Sequence, residues 1–191
     1  MKSETDEQLV ANYLKGNEKA LEILIKRYLK PIYNFVYRYI GSEEAEDVTQ
    51  EVFLKIWRNL KKFKQNKKFK TWIFSIAKNT AIDFLKKKKI IPFSEFEKES
   101  KENTLIETVP DSFSLPNEFL EKAELAEEIN SVLEKLPLSY RMVLFLYYTE
   151  HFNFREIAEI LGESINTVKS RHRRALLMLK KMLEDKNYSG S

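Results

Sequence analysis

"FNFREIAEILGESINTVKSRHRRALLMLKKML" (residues 152–183) decides how this chain folds. Ile157, Ala158, Ile160 and Leu161 fall at helical spacing, and Gly162 stands where that helix should stop. Ala158 is small where a second helix has to pass closely, and Gly162 is free to take the left-handed backbone of a tight turn. Ile165 is expected to plug the turn and Ser164 to cap the next helix. Val168, Ala175, Leu176 and Leu179 continue the inner face. Two helices joined in this way make a helix-turn-helix. The outer side of the second helix points to its use, because residues 165–181 hold six Lys/Arg and no acid. Asn166, Thr167, Lys169, Ser170, Arg173 and Arg174 lie at or near its leading end and exposed side. Arg can bind guanine edges bidentately in a major groove, and Ser, Thr and Asn can hold phosphates.

Upstream, helical spacing appears almost everywhere and glycine is scarce, so the fold class is all-α. Amphipathic segments run over about residues 6–15 and 18–40, and Pro31 is expected to kink or interrupt the second. Gly41 stops it and Ser42 is placed to cap the next helix, residues 43–60. There Val48, Val52, Phe53, Ile56, Trp57 and Leu60 make the apolar face, while Asp47, Gln50, Glu51, Lys55 and Arg58 face outward. A fourth helix over about 70–88 has Ile73, Ile76, Ala77, Thr80 and Phe84 inside and Leu85 flanking. Further helices are expected from Asn117 to Leu136 and from Ser139 to Thr149.

A second stretch, "KKFKQNKKFKTWIFSIAKN" (residues 61–79), holds seven lysines, one Trp and three Phe, with no acid. Lysine attracts phosphate, aromatic rings offer stacking surfaces, and amides make adaptable hydrogen bonds. Together they suit unstacked bases better than a plain duplex. Phe69, Trp72 and Phe74 are the candidate flat surfaces, with Trp72 the best placed to face outward. Asn79 read alone fits a base contact and a solvated position equally well.

Charge divides the chain: +9 over residues 1–89, −6 over 90–121 and +1 over 122–191. The acidic part loses helical spacing, carries Pro110 and Pro116, and reads as an extended linker. The expected organisation is a domain at 1–89, a linker at 90–121, a helix-turn-helix domain at 122–186 and a disordered tail at 187–191. The absence of cysteine excludes disulfides and thiolate metal sites, and His151 and His172 alone do not make a zinc site. No metal and no cofactor are expected. The first residues lack a signal-peptide core and no apolar run is long enough to span a bilayer, which points to a cytoplasmic protein without membrane insertion.

The segments "AEDVTQEVFLKIW", "KFKTWIFSIAKNTAIDFLKKK", "LPLSYRMVLFLYY" and "FREIAEILGESINTVKSRHRRALLMLKKML", taken in order, resemble the extracytoplasmic-function sigma factors of the sigma-70 family. The resemblance implies two small helical domains, regions two and four, that bind core RNA polymerase and direct it to promoters. Asp47, Gln50 and Glu51 resemble the segment that docks on the clamp helices of the largest polymerase subunit. The loop around residues 64–69 would hold a flipped −10 base, with Lys64, Asn66, Lys67, Lys68, Phe69, Thr71, Trp72, Asn79 and Asp83 as the −10 contacts. Asn166, Thr167, Lys169, Ser170, Arg171, Arg173 and Arg174 would contact the −35 duplex, and the apolar side of region four the flap of the second-largest subunit. The linker resembles the segment threaded toward the polymerase active site. An anti-sigma factor is the further partner implied.

Three positions depart from the family pattern. His172 replaces a usual Leu on the inner side of the recognition helix and is expected to be partly buried. His151 replaces a common Gly, so that turn is expected to differ. Asp83 stands where a neutral amide is frequent. A dimeric helix-turn-helix repressor or activator is the competing reading, but it leaves the basic aromatic stretch without a role. A nucleic-acid enzyme would need a carboxylate cluster for metal ions, which that stretch lacks, so no enzyme activity is expected.

Overall fold

Thr5 opens the first helix, α1 (Asp6–Leu14). Its hydroxyl accepts from the Gln8 N–H at 3.3 Å, while the Gln8 side-chain oxygen accepts from the Thr5 N–H at 2.9 Å. Two end donors are thereby satisfied reciprocally. Then come α2 (Glu18–Ile40), α3 (Ala45–Asn59) with a 3-10 turn at Leu60–Lys62, and α4 (Phe69–Lys87). Toward the C-terminus lie α5 (Leu138–Leu144), α6 (Phe154–Leu161) and α7 (Ile165–Tyr188). This computed structural model describes residues 4–41, 43–64, 66–88 and 132–188, and among them are seven α-helices and no strand. The chain divides into two compact units. The expected linker at 90–121, the helical segment from Asn117 to residue 131 and the Ser42 cap lie outside the described residues. So do residues 189–191 of the expected tail, while α7 continues to Tyr188.

In the N-terminal unit, α2 packs on α1, α3 and α4 through Leu24, Ile32, Phe35 and Val36. Pro31 lies inside α2 and does not interrupt it. Proline removes one N–H and crowds the preceding turn, but Ile32, Phe35 and Val36 just beyond it are fully buried and hold the segment helical. Gly41, at φ 85°, ends α2 with its N–H on the Tyr37 carbonyl at 2.8 Å. On α4, Phe74, Ala77, Ala81 and Leu85 are buried, whereas Ile76 and Phe84 are only half-buried, which shifts the inner face from the expected one. Phe74 meets Phe35 edge to face at 5.1 Å.

In the C-terminal unit, Val132, Leu136, Leu144, Ala175, Leu176 and Leu179 form one buried cluster. The expected helix at 139–149 is α in its first part, then widens into a π turn over Phe145–Thr149. Its closing bond runs from the Glu150 N–H to the Phe145 carbonyl at 3.1 Å. His151 follows in the left-handed conformation, φ 57°. Asn153 caps α6: its side-chain oxygen accepts from the Arg155 and Glu156 N–H groups at 3.0 Å each. The Glu156 carboxylate returns to the Asn153 N–H at 2.9 Å.

Phe74→Ala is expected to lower the unfolding free energy of the N-terminal unit by about 3–5 kcal/mol through the cavity it leaves. Both tryptophans, Trp57 and Trp72, lie in that unit, so urea titration followed by tryptophan fluorescence checks this directly.

Candidate functional site

The lysine-rich loop of the N-terminal unit is closed by aromatic rings. Phe63 and Phe69 stand at its two feet, both buried, with centroids 5.4 Å apart and planes at 89°. Trp72 packs 5.2 Å from Phe63 and 5.7 Å from Phe69, and Tyr28 of α2 lies 5.8 Å from Phe69. Between the feet Lys64, Asn66, Lys67 and Lys68 are exposed, and the Lys67 N–H closes a turn on the Lys64 carbonyl at 2.9 Å. The Lys68 side chain does not cap α4. Instead the Phe69 N–H donates to the Glu7 carboxylate of α1 at 3.0 Å.

Two expected base contacts are therefore corrected. Phe69 is 2% exposed, because it shares the inner face of α4 with Ile73 one turn on. Thr71 is buried on the stripe that continues through Phe74, Ala81 and Leu85. Phe74, the third candidate flat surface, is wholly core. Trp72 is half-buried, wedged into the aromatic cluster rather than standing free. Trp72, Asn79 and Asp83 are spaced i, i+7 and i+11, which aligns them along one face of α4 starting at the loop. Asn79 and Asp83 are exposed there.

On α3, Asp47 and Gln50 are exposed. Glu51 is half-buried and ion-paired with Lys55 at 2.9 Å, and Lys55 also donates to the Thr80 hydroxyl of α4 at 3.2 Å. Trp57, expected in the core, is 53% exposed, and Leu54 is 50% exposed. Trp57 donates its indole N–H to the Tyr13 hydroxyl of α1 at 2.9 Å. Asp47, Gln50, Leu54 and Trp57 repeat at helical spacing, a stripe visible in the sequence once Trp57 is allowed outside.

In the C-terminal unit, Gly162, at φ 71°, ends α6, and the Glu163 N–H reaches back to the Ala158 carbonyl at 3.0 Å. Ser164 caps α7, its hydroxyl accepting from the Thr167 N–H at 3.0 Å. Ile165 does not plug the turn: as the first residue of the helix its side chain is 39% exposed. Asn166 and Lys169 are exposed, and Thr167, Ser170, Arg173 and Arg174 are half-buried. The Ser170 hydroxyl donates to the Thr167 carbonyl at 2.9 Å, which leaves its oxygen as an acceptor. Arg171 is the further correction. It is 6% exposed, and one guanidinium nitrogen donates to both Glu163 carboxylate oxygens at 2.7 and 2.8 Å. It ties the recognition helix to the turn and does not face outward.

The sigma-70 region 2 family matches residues 24–90, and the sigma-70 region 4 family matches residues 126–179. An ECF RNA polymerase sigma factor of Bacillus subtilis, SigW, is 35% identical over 90% of this chain and 92% of its own. The chain belongs to the ECF sigma factors. The ECF RNA polymerase sigma-E factor of Escherichia coli K12 is 33% identical over 90% of both chains. The sigma factor RpoE of Bartonella quintana, solved in complex with the anti-sigma factor NepR, shares the fold at a TM-score of 0.60 with 23% identity, over 87% of this chain and 98% of that one. Promoter-directed transcription is the function of the family, and this member is a regulatory protein.

Among the described residues no group of three His, Cys, Asp or Glu is placed to hold a metal, and no helix is long and apolar enough to cross a membrane.

His172 of this sigma factor is half-buried in an aromatic cage, with ring centroids 4.8 Å from Tyr147, 5.6 Å from Tyr148 and 5.1 Å from Phe154. Its Nε2 has no hydrogen-bond partner. Burial lowers its pKa below the ordinary histidine value, because the charged ring is cut off from water. The unfolded chain therefore binds the proton more readily than the folded one. The stability that neutral His172 supports is complete above about pH 6.5, the ordinary histidine value, and is lost as pH falls below it. Melting followed by the NMR signals of residues 138–183 should show a lower Tm at pH 5.5 than at pH 7.5, and His172→Leu should reduce that difference.

Proposed function

We propose that this sigma factor docks on core RNA polymerase through the outer stripe of α3, reads the −35 duplex with α7 and captures unstacked −10 bases at the loop and outer face of α4. Support for the −10 assignment comes from one observation above all. A loop carrying four exposed polar or cationic side chains is pinned at both feet by buried rings. Such a loop presents Lys64, Asn66, Lys67 and Lys68 at a fixed place without losing order at each encounter. Trp72, Asn79 and Asp83 extend the surface along the helix. Lysines supply the phosphate attraction, and Asp83 is suited to accept from cytosine N4. No covalent chemistry is involved: binding to polymerase and the −35 duplex offsets the unstacking of the −10 bases.

For the −35 duplex the contact set is Asn166, Thr167, Lys169, Ser170, Arg173 and Arg174, with Arg171 holding the helix in place. Asp47, Gln50, Leu54 and Trp57 make the polymerase stripe, with Glu51 oriented by Lys55, on the clamp helices of the largest subunit. The flap of the second-largest subunit is assigned to the apolar side of region four. An anti-sigma factor is the further partner proposed, as a relative of the same fold has been solved with one. The proposed organisation remains 1–89, 90–121 and 122–186.

Run-off transcription with bacterial core polymerase on a fragmented genomic library tests this. Discrete transcripts that require the protein are expected. Absence of a core complex together with tight binding to a palindromic duplex would instead establish a dimeric regulator. Arg173→Ala is expected to relax −35 specificity by about 1–3 kcal/mol at one base pair, read as competition between promoter variants. Uniform loss across sequences would make Arg173 a phosphate contact. Trp57→Ala is expected to weaken core binding about tenfold or more, as for a central interface aromatic, with little change in binding of −35 duplex.

A further inference from the structure

The first helix lies outside the matched region 2 family, which begins at residue 24. Its first turn nevertheless reaches the site. Asp6 accepts from Arg27 and from the Tyr28 hydroxyl, which fastens α1 to α2. Burial, and then the Asp6 hydrogen bond, push the Tyr28 phenol above its ordinary pKa, so it remains a donor at neutral pH. The Tyr28 ring in turn packs on Phe69. One residue along, Glu7 accepts from the Phe69 N–H at 3.0 Å. Helix N-termini expose unpaired N–H groups, and the residue in the cap position here, Lys68, supplies no side-chain oxygen. The cap comes from another helix instead.

From this juxtaposition we infer that Glu7 is a positioning residue for −10 capture. It fixes the first turn of α4, and with it the foot of the lysine loop, through a carboxylate held on α1. The inference rests on the −10 reading of the loop. Two physical effects act together. The acceptor satisfies the Phe69 N–H, one of the end donors of α4, and so helps to hold the first turn in one conformation. The negative charge also fills a helix N-terminus that lies among Lys64, Lys67, Lys68 and Lys70, a place where a backbone phosphate would otherwise bind. DNA is thus left to the side chains of the loop and to the outer face of α4, where base edges can be met. Glu7 touches no base itself.

The test uses the full chain with core RNA polymerase on a promoter that the wild type transcribes, comparing Glu7→Ala and Glu7→Gln. Opening is read as permanganate reactivity of unpaired thymines, core affinity by titration, and folding by tryptophan fluorescence. E7A is expected to open the promoter about fivefold less, the scale of one lost cap. Its core affinity should stay within about twofold, as for a substitution away from the docking stripe. E7Q keeps the acceptor but loses the charge, and is expected to open the promoter to an extent between E7A and the wild type. If the exposed loop residues Lys64, Asn66 and Lys67 can be replaced together by Ala with no loss of opening, the −10 reading is overturned and this inference with it. If that triple substitution impairs opening and E7A opens the promoter as well as the wild type, the inference alone is overturned. Should E7A lose core binding and opening together, E7Q decides. Opening by E7Q beyond that of E7A supports the positioning role, and an E7Q that binds core normally but fails to open the promoter overturns it.

Discussion

A loop that carries several lysines side by side sets cations that repel one another close together, and something beneath must hold them there. In the N-terminal unit that something is the contact of Phe63 with Phe69. Edge-to-face pairs of this kind contribute about 0.5–1.5 kcal/mol beyond the area they bury. Here the pair also ties off a loop, and Trp72 and Tyr28 widen it into a four-ring cluster. Exposed lysines above and buried rings below are two sides of one arrangement. The rings in the basic stretch therefore serve the loop first as a floor, and only Trp72 remains partly open to a partner.

The C-terminal unit meets a related demand with polar groups. Its α7 carries Lys169 on the outside while the start of that helix is set by the Ser164 cap, the left-handed Gly162 and the Arg171–Glu163 pair. A pair this close to the turn fixes an angle between helices. Buried ion pairs are an unreliable source of stability, because desolvation offsets their attraction. Geometry is the better account of this one.

Helical periodicity made the all-α fold legible, along with the helix-turn-helix, the inner face of α7 and the exposure of Asp47, Gln50, Asn79, Asn166 and Lys169. It failed where a residue type has two uses. Arg171 looked like its neighbours Arg173 and Arg174, yet an acid eight residues back draws it inside. Phe69 and Trp72 looked alike as stacking surfaces, yet the start of α4 turns the first inward. Trp57 read as core because its spacing from Phe53 and Leu60 fits the apolar face, although its spacing from Asp47 and Gln50 also placed it on the outer stripe. Ile165 read as a plug because it is apolar and sits in the turn, but at the start of α7 its side chain is left 39% exposed. Glu7 was illegible for another reason: its partner lies 62 residues away and is a backbone N–H, which no side-chain pattern reveals.

The π turn at Phe145–Thr149 has an arithmetic consequence. Such a turn holds one residue more than the α-helix it interrupts. Deleting a single residue there would let the segment close as an ordinary α turn, so the loss is taken up within the turn before the exit at Glu150 has to move. A lineage that loses one residue between Leu144 and Glu150 should therefore keep α6 and α7 where they are and give up only the widened turn.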